Sequence, residues 1–208
     1  MTKRDAQNLF EAITARVAAS FHRRRPVFIT GRFRSGTSAL WNILRQEPRT
    51  FGIYEPLHDS LPAYLHHELA TDPSHHGLTD YFRELRPQAA TVLAHFRPEF
   101  GACRLTLAAN ETYPELKAYL DRLMELAGGK IPLFKFVRMD FRLPWLRRQF
   151  PDAVIIHIHR NPREQWLSMR ARESKEFAEA NWLSVYQLNT FAASQLFCVP
   201  EIFAPEVK

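Results

Sequence analysis

The sequence predicts an α/β fold in which helices flank a parallel sheet, and two observations support this prediction. Short apolar runs rich in β-branched and aromatic residues recur along the chain, which is the pattern of buried strands. Stretches with helical spacing of apolar residues separate these runs, so each connection can be a crossover between parallel strands. With 208 residues, 46% of them hydrophobic and 24% charged, we expect one globular domain over residues 1–208.

The predicted strands are four apolar runs with few charges. They cover residues 26–30, 51–55, 131–137 and 153–159. The last run, AVIIHIH, is the most apolar, and we expect it in the centre of the sheet because central parallel strands are covered on both faces. Helical spacing predicts helices at 5–22, 39–47, 114–127, 144–150 and 181–197, with a further one that begins at Asn161.

The long connection between the second and third strands has a different character. Residues 56–128 contain helical patterns near 60–70, 78–86 and 88–97 and end in the 114–127 helix, without a convincing strand. We therefore predict a helical excursion that covers one end of the sheet.

Charge and cysteine content limit the classes of protein. The net charge of +6 comes from clustered arginines, a residue suited to bidentate binding of phosphate or sulfate, although a solvated basic surface is the alternative. Aromatic and basic residues do not alternate as in a nucleic-acid groove, so no nucleic acid is expected. Cys103 and Cys198 are too few for a disulfide framework and indicate a reducing compartment.

The N-terminus lacks the features of a targeting segment. Its first 21 residues are amphipathic and carry charges throughout, and no run of about 18 apolar residues occurs anywhere in the chain. We expect a soluble cytoplasmic protein with no membrane partner. Nothing in the sequence predicts an oligomeric state.

The segment between the first strand and the next helix is the strongest candidate for a ligand site. Residues 31–38 read GRFRSGTS, with two arginines, Arg32 and Arg34, and three hydroxyls. In a strand–loop–helix of this kind, backbone N–H groups and the helix N-terminus converge on an anion. We therefore predict a phosphate-binding loop.

This loop departs from the nucleoside-triphosphate P-loop at one position. The pattern G-x-x-x-x-G-K-[ST] is matched by Gly31, Gly36 and Ser38, but Thr37 stands where the lysine should be. That lysine reaches the β- and γ-phosphates, so hydrolysis of a nucleoside triphosphate is not expected unless Arg34 substitutes for it. The fold is P-loop-like, without the triphosphate-binding lysine.

A second polar pair follows the last strand. Arg160 comes directly after the strand at 153–159, and Ser168 lies about two turns into the next helix. Ligands of open α/β sheets bind beyond the carboxyl ends of the strands, where this pair suits a second phosphate. The alternative is that Arg160 pairs with a surface carboxylate and Ser168 is only solvated.

Together these elements resemble the sulfotransferases that use 3′-phosphoadenosine 5′-phosphosulfate (PAPS). The loop motif of that family is matched by Arg34-Ser35-Gly36-Thr37-Ser38, and its second motif, Arg and a Ser eight residues later, by Arg160 and Ser168. Four stretches resemble the carbohydrate sulfotransferase branch. They are RSGTSALWNILRQEP, the YEP at 54–56, Lys135-Phe-Val-Arg138 and HRNPREQWLSMR. The resemblance covers roughly residues 27–58 and 131–172.

The resemblance implies transfer of a sulfuryl group from PAPS to a hydroxyl of a carbohydrate-like or other small acceptor by in-line displacement. Arg34 would stabilise the leaving phosphate and the transferring group, Arg160 and Ser168 would bind the 3′-phosphate, and no metal is implied. The expected nucleotide-binding residues are Arg32, Arg34, Ser35, Gly36, Thr37, Ser38, Arg160 and Ser168.

The proton acceptor has two candidates. Glu55 ends the second strand and resembles the carboxylate base of the carbohydrate branch, while other branches use a histidine, for which His58 is the candidate. Alternatively, Glu55 is a structural partner of Arg32 or Arg34. The histidine pairs at 66–67 and 75–76 are adjacent rather than at metal-ligand spacing, so no metal site is expected.

Two other functions remain open from the sequence: a P-loop kinase with a degenerate loop, and a non-catalytic nucleotide-binding module. The chain ends at Lys208, 40 residues after Ser168, so we expect a compact member, a fragment or a protein whose site another chain completes. Four aromatic residues in the excursion either line an acceptor cleft or belong to the core. They are Tyr64, Tyr81, Phe82 and Phe96.

Overall fold

The computed structural model describes residues 25–70, 80–161 and 163–165. In this part of the chain, four parallel strands form one sheet in the order β2-β3-β1-β4. They are β1 (Val27–Gly31), β2 (Thr50–Tyr54), β3 (Ile131–Phe136) and β4 (Val154–Ile158). The predicted α/β class and the parallel sheet are confirmed. The helices predicted at 5–22 and 181–197 lie outside the described residues, as does Ser168.

The position of β4 differs from the prediction. Among the described strands β1 and β3 are central and fully buried, whereas β4 is at an edge and its residues are half-buried. All three strands are apolar, and apolarity alone does not say which neighbours a strand acquires. The prediction of a central β4 is therefore wrong for the described sheet.

Six α-helices connect or cover the described strands. They are α1 (Thr37–Arg45), α2 (Leu61–Leu65), α3 (Ala89–His95), α4 (Glu99–Ala102), α5 (Pro114–Glu125) and α6 (Leu143–Gln149). Short 3-10 turns lie at Arg86–Gln88 and Asp140–Arg142. The excursion is confirmed as helical, but its helices are shorter than predicted: the 60–70 pattern yields only α2.

The helix predicted near 78–86 is not present in the described residues from 80 onward. The Asp80 carboxylate accepts a hydrogen bond from the Phe82 N–H at 3.1 Å, and the Asp80 carbonyl accepts one from Arg45 at 2.8 Å. An aspartate that bonds to the backbone two residues on favours a turn over a helix. Arg45 also forms a two-oxygen ion pair with Glu84, which ties the end of α1 to this turn.

Helix α1 packs closely on β2 and β3. The Trp41 side chain is completely buried, and its indole N–H donates to the Leu133 carbonyl at 3.0 Å. A Cβ atom at Gly52 would lie 2.8 Å from the Trp41 ring, so glycine lets the helix approach the sheet. This contact fixes the N-terminus of α1 over the carboxyl ends of the strands.

The excursion contributes much of the core. Helix α5 buries Leu116, Tyr119, Leu120 and Leu123, as its spacing predicts. Tyr81 and Phe82 are also buried, whereas Tyr64 and Phe96 are half-buried against the same core. The four aromatic residues of the excursion thus pack in or against the core. Within the described residues, no helix is long and apolar enough to cross a membrane.

Candidate active site

The predicted phosphate-binding loop, residues 31–38, connects β1 to α1 in a strongly curved path. Arg34 and Gly36 have left-handed backbone angles, with φ of 63° and 98°, and the Ser35 N–H donates to the Arg32 carbonyl at 3.1 Å. Helix α1 has no side-chain hydrogen bond at its N-cap and no acidic residue in its first turn. Its first N–H groups and the positive end of its dipole are therefore suited to an anion.

The interior of the loop fits a phosphate or sulfate. A Cβ atom at Gly31 would lie 2.6 Å from the Ile158 carbonyl and 2.7 Å from the Ser35 hydroxyl, so only glycine lets the loop pack this closely on the end of β4. The Ser35 Oγ is buried and has no hydrogen-bond partner among the described residues. Buried hydroxyls are normally bonded, so an anionic oxygen in the loop would complete the hydrogen bonding of Ser35.

Arg160 lies against this loop, as the two predicted elements require. Its Nη1 donates to the Arg34 carbonyl at 3.2 Å, and nearby the Gln165 amide donates to the Phe33 carbonyl at 3.2 Å. Arg160 also lies 3.8 Å from the Glu164 carboxylate, so the predicted surface pairing exists beside the loop contact. The loop and the end of β4 thus form one polar surface.

Arg32 faces a different neighbour. Its guanidinium lies 5.2 Å from the centre of the Phe141 ring, in a cation–π contact on the segment after β3. Close by, the Thr30 hydroxyl donates to Asp140 at 2.8 Å, and His157 Nδ1 lies 3.8 Å from the same carboxylate. Burial raises the pKa of Asp140 and lowers that of His157. No motif in the sequence predicted this cluster of Thr30, Asp140 and His157.

Glu55 follows β2 directly and is almost completely buried. Its carboxylate forms an ion pair with Lys135 through Oε1, and its Oε2 accepts the Val137 N–H at 3.2 Å. The contacts of this carboxylate are therefore to Lys135 and Val137 rather than to Arg32 or Arg34. Lys135 was not among the predicted site residues, although a lysine inside the apolar strand IPLFKF is a signal for a buried partner.

The Glu55–Lys135 pair adjoins the N-terminus of α1. The Lys135 ammonium lies 4.8 Å from the centre of the Tyr54 ring, and the Tyr54 hydroxyl is 3.0 Å from the Ser38 hydroxyl. Burial raises the pKa of Tyr54 well above its usual range, so the phenol stays neutral. Tyr54 thus connects the carboxylate side of the site to the loop.

His58 lies one turn beyond Glu55. Its Nδ1 accepts the Ser60 N–H at 3.0 Å and lies 2.9 Å from the Asp59 carboxylate. Burial and, after it, the charge of Arg138 lower the pKa of His58, which favours the neutral ring. Because the Ser60 N–H occupies Nδ1 of the neutral ring, a proton exchanged with a ligand would pass through Nε2. Among the described residues, no cluster of three or more His, Cys, Asp or Glu could hold a metal ion.

Comparison with known proteins gives one match. The sequence model of the sulfotransferase family matches residues 26–196, a span that contains the loop, Glu55, Lys135 and Arg160. Searches of curated proteins and of solved structures give no significant match. Because the matched span is far more than half of the chain, this protein belongs to the sulfotransferase family.

Proposed function

We propose that this protein transfers a sulfuryl group from PAPS to a hydroxyl of a carbohydrate-like or other small acceptor. Family membership supports a sulfotransferase. The choice of PAPS as the sulfuryl donor rests on the loop of residues 31–38. The buried Ser35 hydroxyl in this loop has no hydrogen-bond partner among the described residues, and the triphosphate-binding lysine is absent. The loop also contacts Arg160 through the Arg34 carbonyl. A bisphosphorylated nucleotide needs two anion-binding groups, which the loop and Arg160 would supply.

The loop would bind the 5′-phosphosulfate and the end of β4 the 3′-phosphate. Arg34, the hydroxyls of Ser35, Thr37 and Ser38, and the first N–H groups of α1 would donate to the phosphosulfate oxygens. Arg160, with Ser168, would bind the 3′-phosphate. PAPS, as the co-substrate, supplies the sulfuryl group and a stable phosphate leaving group.

The chemistry requires one proton transfer and stabilisation of charge. The acceptor oxygen forms a bond to sulfur while the bond from sulfur to the 5′-phosphate oxygen breaks, and the nucleotide leaves as 3′,5′-ADP. Arg34 and the loop N–H groups stabilise the negative charge that develops on that oxygen. These groups take the role that Mg²⁺ has in kinases, so we propose that no metal ion takes part.

Glu55 would take the proton from the acceptor hydroxyl. Each carboxylate oxygen has two lone pairs, so each keeps one after the bonds to Lys135 and Val137 are made. Lys135 holds the carboxylate beside the loop and adds positive charge near the transferred group. His58 is the second candidate. It lies three residues after Glu55 on the same turn, and its lowered pKa favours the neutral ring that a base requires.

A nucleotide-binding measurement tests the donor. We expect 3′,5′-ADP to raise the melting temperature in the presence of EDTA, since a ligand at a hundred times its Kd stabilises by about 2.7 kcal/mol. Arg160→Ala should lose most of this shift, whereas Arg148→Ala, which removes an exposed arginine on α6, should keep it. Stabilisation by ATP–Mg²⁺ without any response to 3′,5′-ADP would contradict the proposal and favour a kinase.

A further inference from the structure

The turn that carries both candidate proton acceptors, residues 55–58, has a strained backbone. Glu55 has φ of 41°, in the left-handed region that non-glycine residues rarely adopt. The His58 N–H donates to the Glu55 carbonyl at 2.9 Å, and the Leu61 N–H donates to the His58 carbonyl at 2.9 Å. Such a conformation persists only when surrounding contacts hold it.

Two further carbonyls of the turn are bound by side chains from distant elements. The Tyr119 hydroxyl, on α5, donates to the Pro56 carbonyl at 2.9 Å in a buried hydrogen bond. The Arg138 guanidinium, two residues after β3, donates to the Leu57 carbonyl at 3.2 Å. All four carbonyls from Glu55 to His58 are therefore hydrogen-bonded, two of them by side chains from elsewhere in the chain.

Helix α4 closes the turn from a third side. A Cβ atom at Gly101 would lie 2.0 Å from the Leu57 carbonyl oxygen, so any larger residue would push the turn out of place. The segment around Gly101 is itself fixed, because the buried Arg142 donates to the Phe100 carbonyl at 2.7 Å and to the Arg104 carbonyl at 2.9 Å. The turn therefore packs directly against a segment that buried hydrogen bonds hold in place.

The buried positive charge of Arg138 has only a weak counter-ion. Its side chain is 8% exposed, and its nearest carboxylate, that of Asp59, is 3.5 Å away and 63% exposed. Its Nε is buried and has no hydrogen-bond partner among the described residues. Burial of a guanidinium with so weak a partner costs stability, so a role other than stabilisation is needed to explain it.

We propose that Arg138, supported by Tyr119 and Gly101, is a positioning residue that holds the 55–58 turn and, with it, the Glu55 carboxylate and the His58 ring in place. Arg138 binds the turn through the Leu57 carbonyl. Its Nη2 lies 3.5 Å and the His58 Nδ1 lies 2.9 Å from the same Asp59 carboxylate oxygen, so the guanidinium charge is near the ring. The other charged groups that face this ring are Asp59, Glu55 and Lys135. The inference rests on the proposed function, since the placement of the turn matters for catalysis only if Glu55 or His58 accepts the proton.

The first test does not depend on activity. NMR titration of the histidine rings, with His58 assigned from the signal lost in His58→Asn, should show a higher His58 pKa in Arg138→Gln than in the unaltered protein. The amide of His58 should exchange with solvent at least tenfold faster in that variant, because the turn loses one of its external contacts. Arg138→Lys should restore the low pKa in part, and Arg148→Gln should change neither quantity. An unchanged His58 pKa together with unchanged amide exchange in Arg138→Gln would overturn the inference.

The second test measures catalysis. Arg138→Gln should lower kcat by about tenfold to a hundredfold, the loss typical of a misplaced catalytic group, with the Kd for 3′,5′-ADP and the KM for PAPS within twofold. If this variant does not fold, Tyr119→Phe removes only one hydroxyl from the turn and should lower kcat in the same direction. A loosened turn in a protein that binds no 3′,5′-ADP would support the positioning contact and overturn the proposed function. Retention of full kcat in both variants would overturn the positioning role.

Discussion

Glu55→Gln is expected to lower kcat for sulfuryl transfer by about 10²- to 10⁴-fold, the usual contribution of a general base. The amide has nearly the shape of the carboxylate, and its oxygen can still accept a hydrogen bond from Lys135, but it no longer neutralises that buried ammonium, so the variant should also be less stable. It cannot take a proton from an acceptor hydroxyl. The rate is measured as transfer of labelled sulfate from PAPS to an acceptor identified in a saccharide panel.

Two controls separate a lost base from a damaged site. The Kd for 3′,5′-ADP should stay within a few-fold in Glu55→Gln, because the proposed nucleotide contacts are in the loop and at Arg160. Glu115→Gln removes an exposed carboxylate at the start of α5 and should keep full activity. If Glu55→Gln kept kcat within threefold while His58→Asn lost it, the base would be His58 and our assignment of Glu55 would be wrong.

Lys135→Met should lower the free energy of unfolding by about 3–5 kcal/mol, the cost of breaking a buried ion pair from one side. Both side chains of the Glu55–Lys135 pair are less than a tenth exposed, so the remaining carboxylate would have no solvent to replace the ammonium. The measurement is denaturant unfolding followed by fluorescence. Lys130→Met, which changes an exposed lysine just before β3, should alter stability by less than about 0.5 kcal/mol.

A double-mutant cycle then measures the pairing itself. The Glu55→Gln/Lys135→Met protein has no buried charge at this position, so it should recover much of the stability lost by Lys135→Met alone. We expect a coupling free energy of roughly 1–3 kcal/mol between the two positions. Additive losses, with no recovery in the double variant, would show that the pair is not coupled in the folded protein.

Local patterns were sufficient to predict the elements that form the site. The residues around Gly31 and Gly36 were enough to predict the strand before the loop and the helix after it. The elements β1 and α1 begin within two residues of their predicted starts. The family was also predictable, because its motifs are short and contiguous. The prediction of a central β4 failed because strand order depends on packing between elements rather than on the composition of one run.

The contacts of the site residues were not predictable in the same way. The sequence analysis considered arginines of the loop as partners of Glu55, because they are also near a strand end, and the partner is Lys135. In the excursion, the pattern near 78–86 suggested a helix, but the carboxylate of Asp80 bonds the backbone of the following turn. The first difference arises because only the folded chain brings Lys135 within reach of Glu55. In the second, the Asp80 bond is local, but the contacts of Arg45 with Asp80 and Glu84 that tie this turn to α1 also depend on the fold.

The sequence by itself determined the α/β class, the strand–loop–helix around residues 31–38 and the sulfotransferase family, because each depends on residues close together in the chain. Tertiary structure decided which residues meet. Lys135 contacts Glu55 across 80 residues of chain, Arg138 reaches Leu57 across 81, and Arg160 reaches Arg34 across 126. The order β2-β3-β1-β4 creates these contacts. All four strands are parallel, so their carboxyl ends, which are distant in sequence, lie on the same side of the sheet.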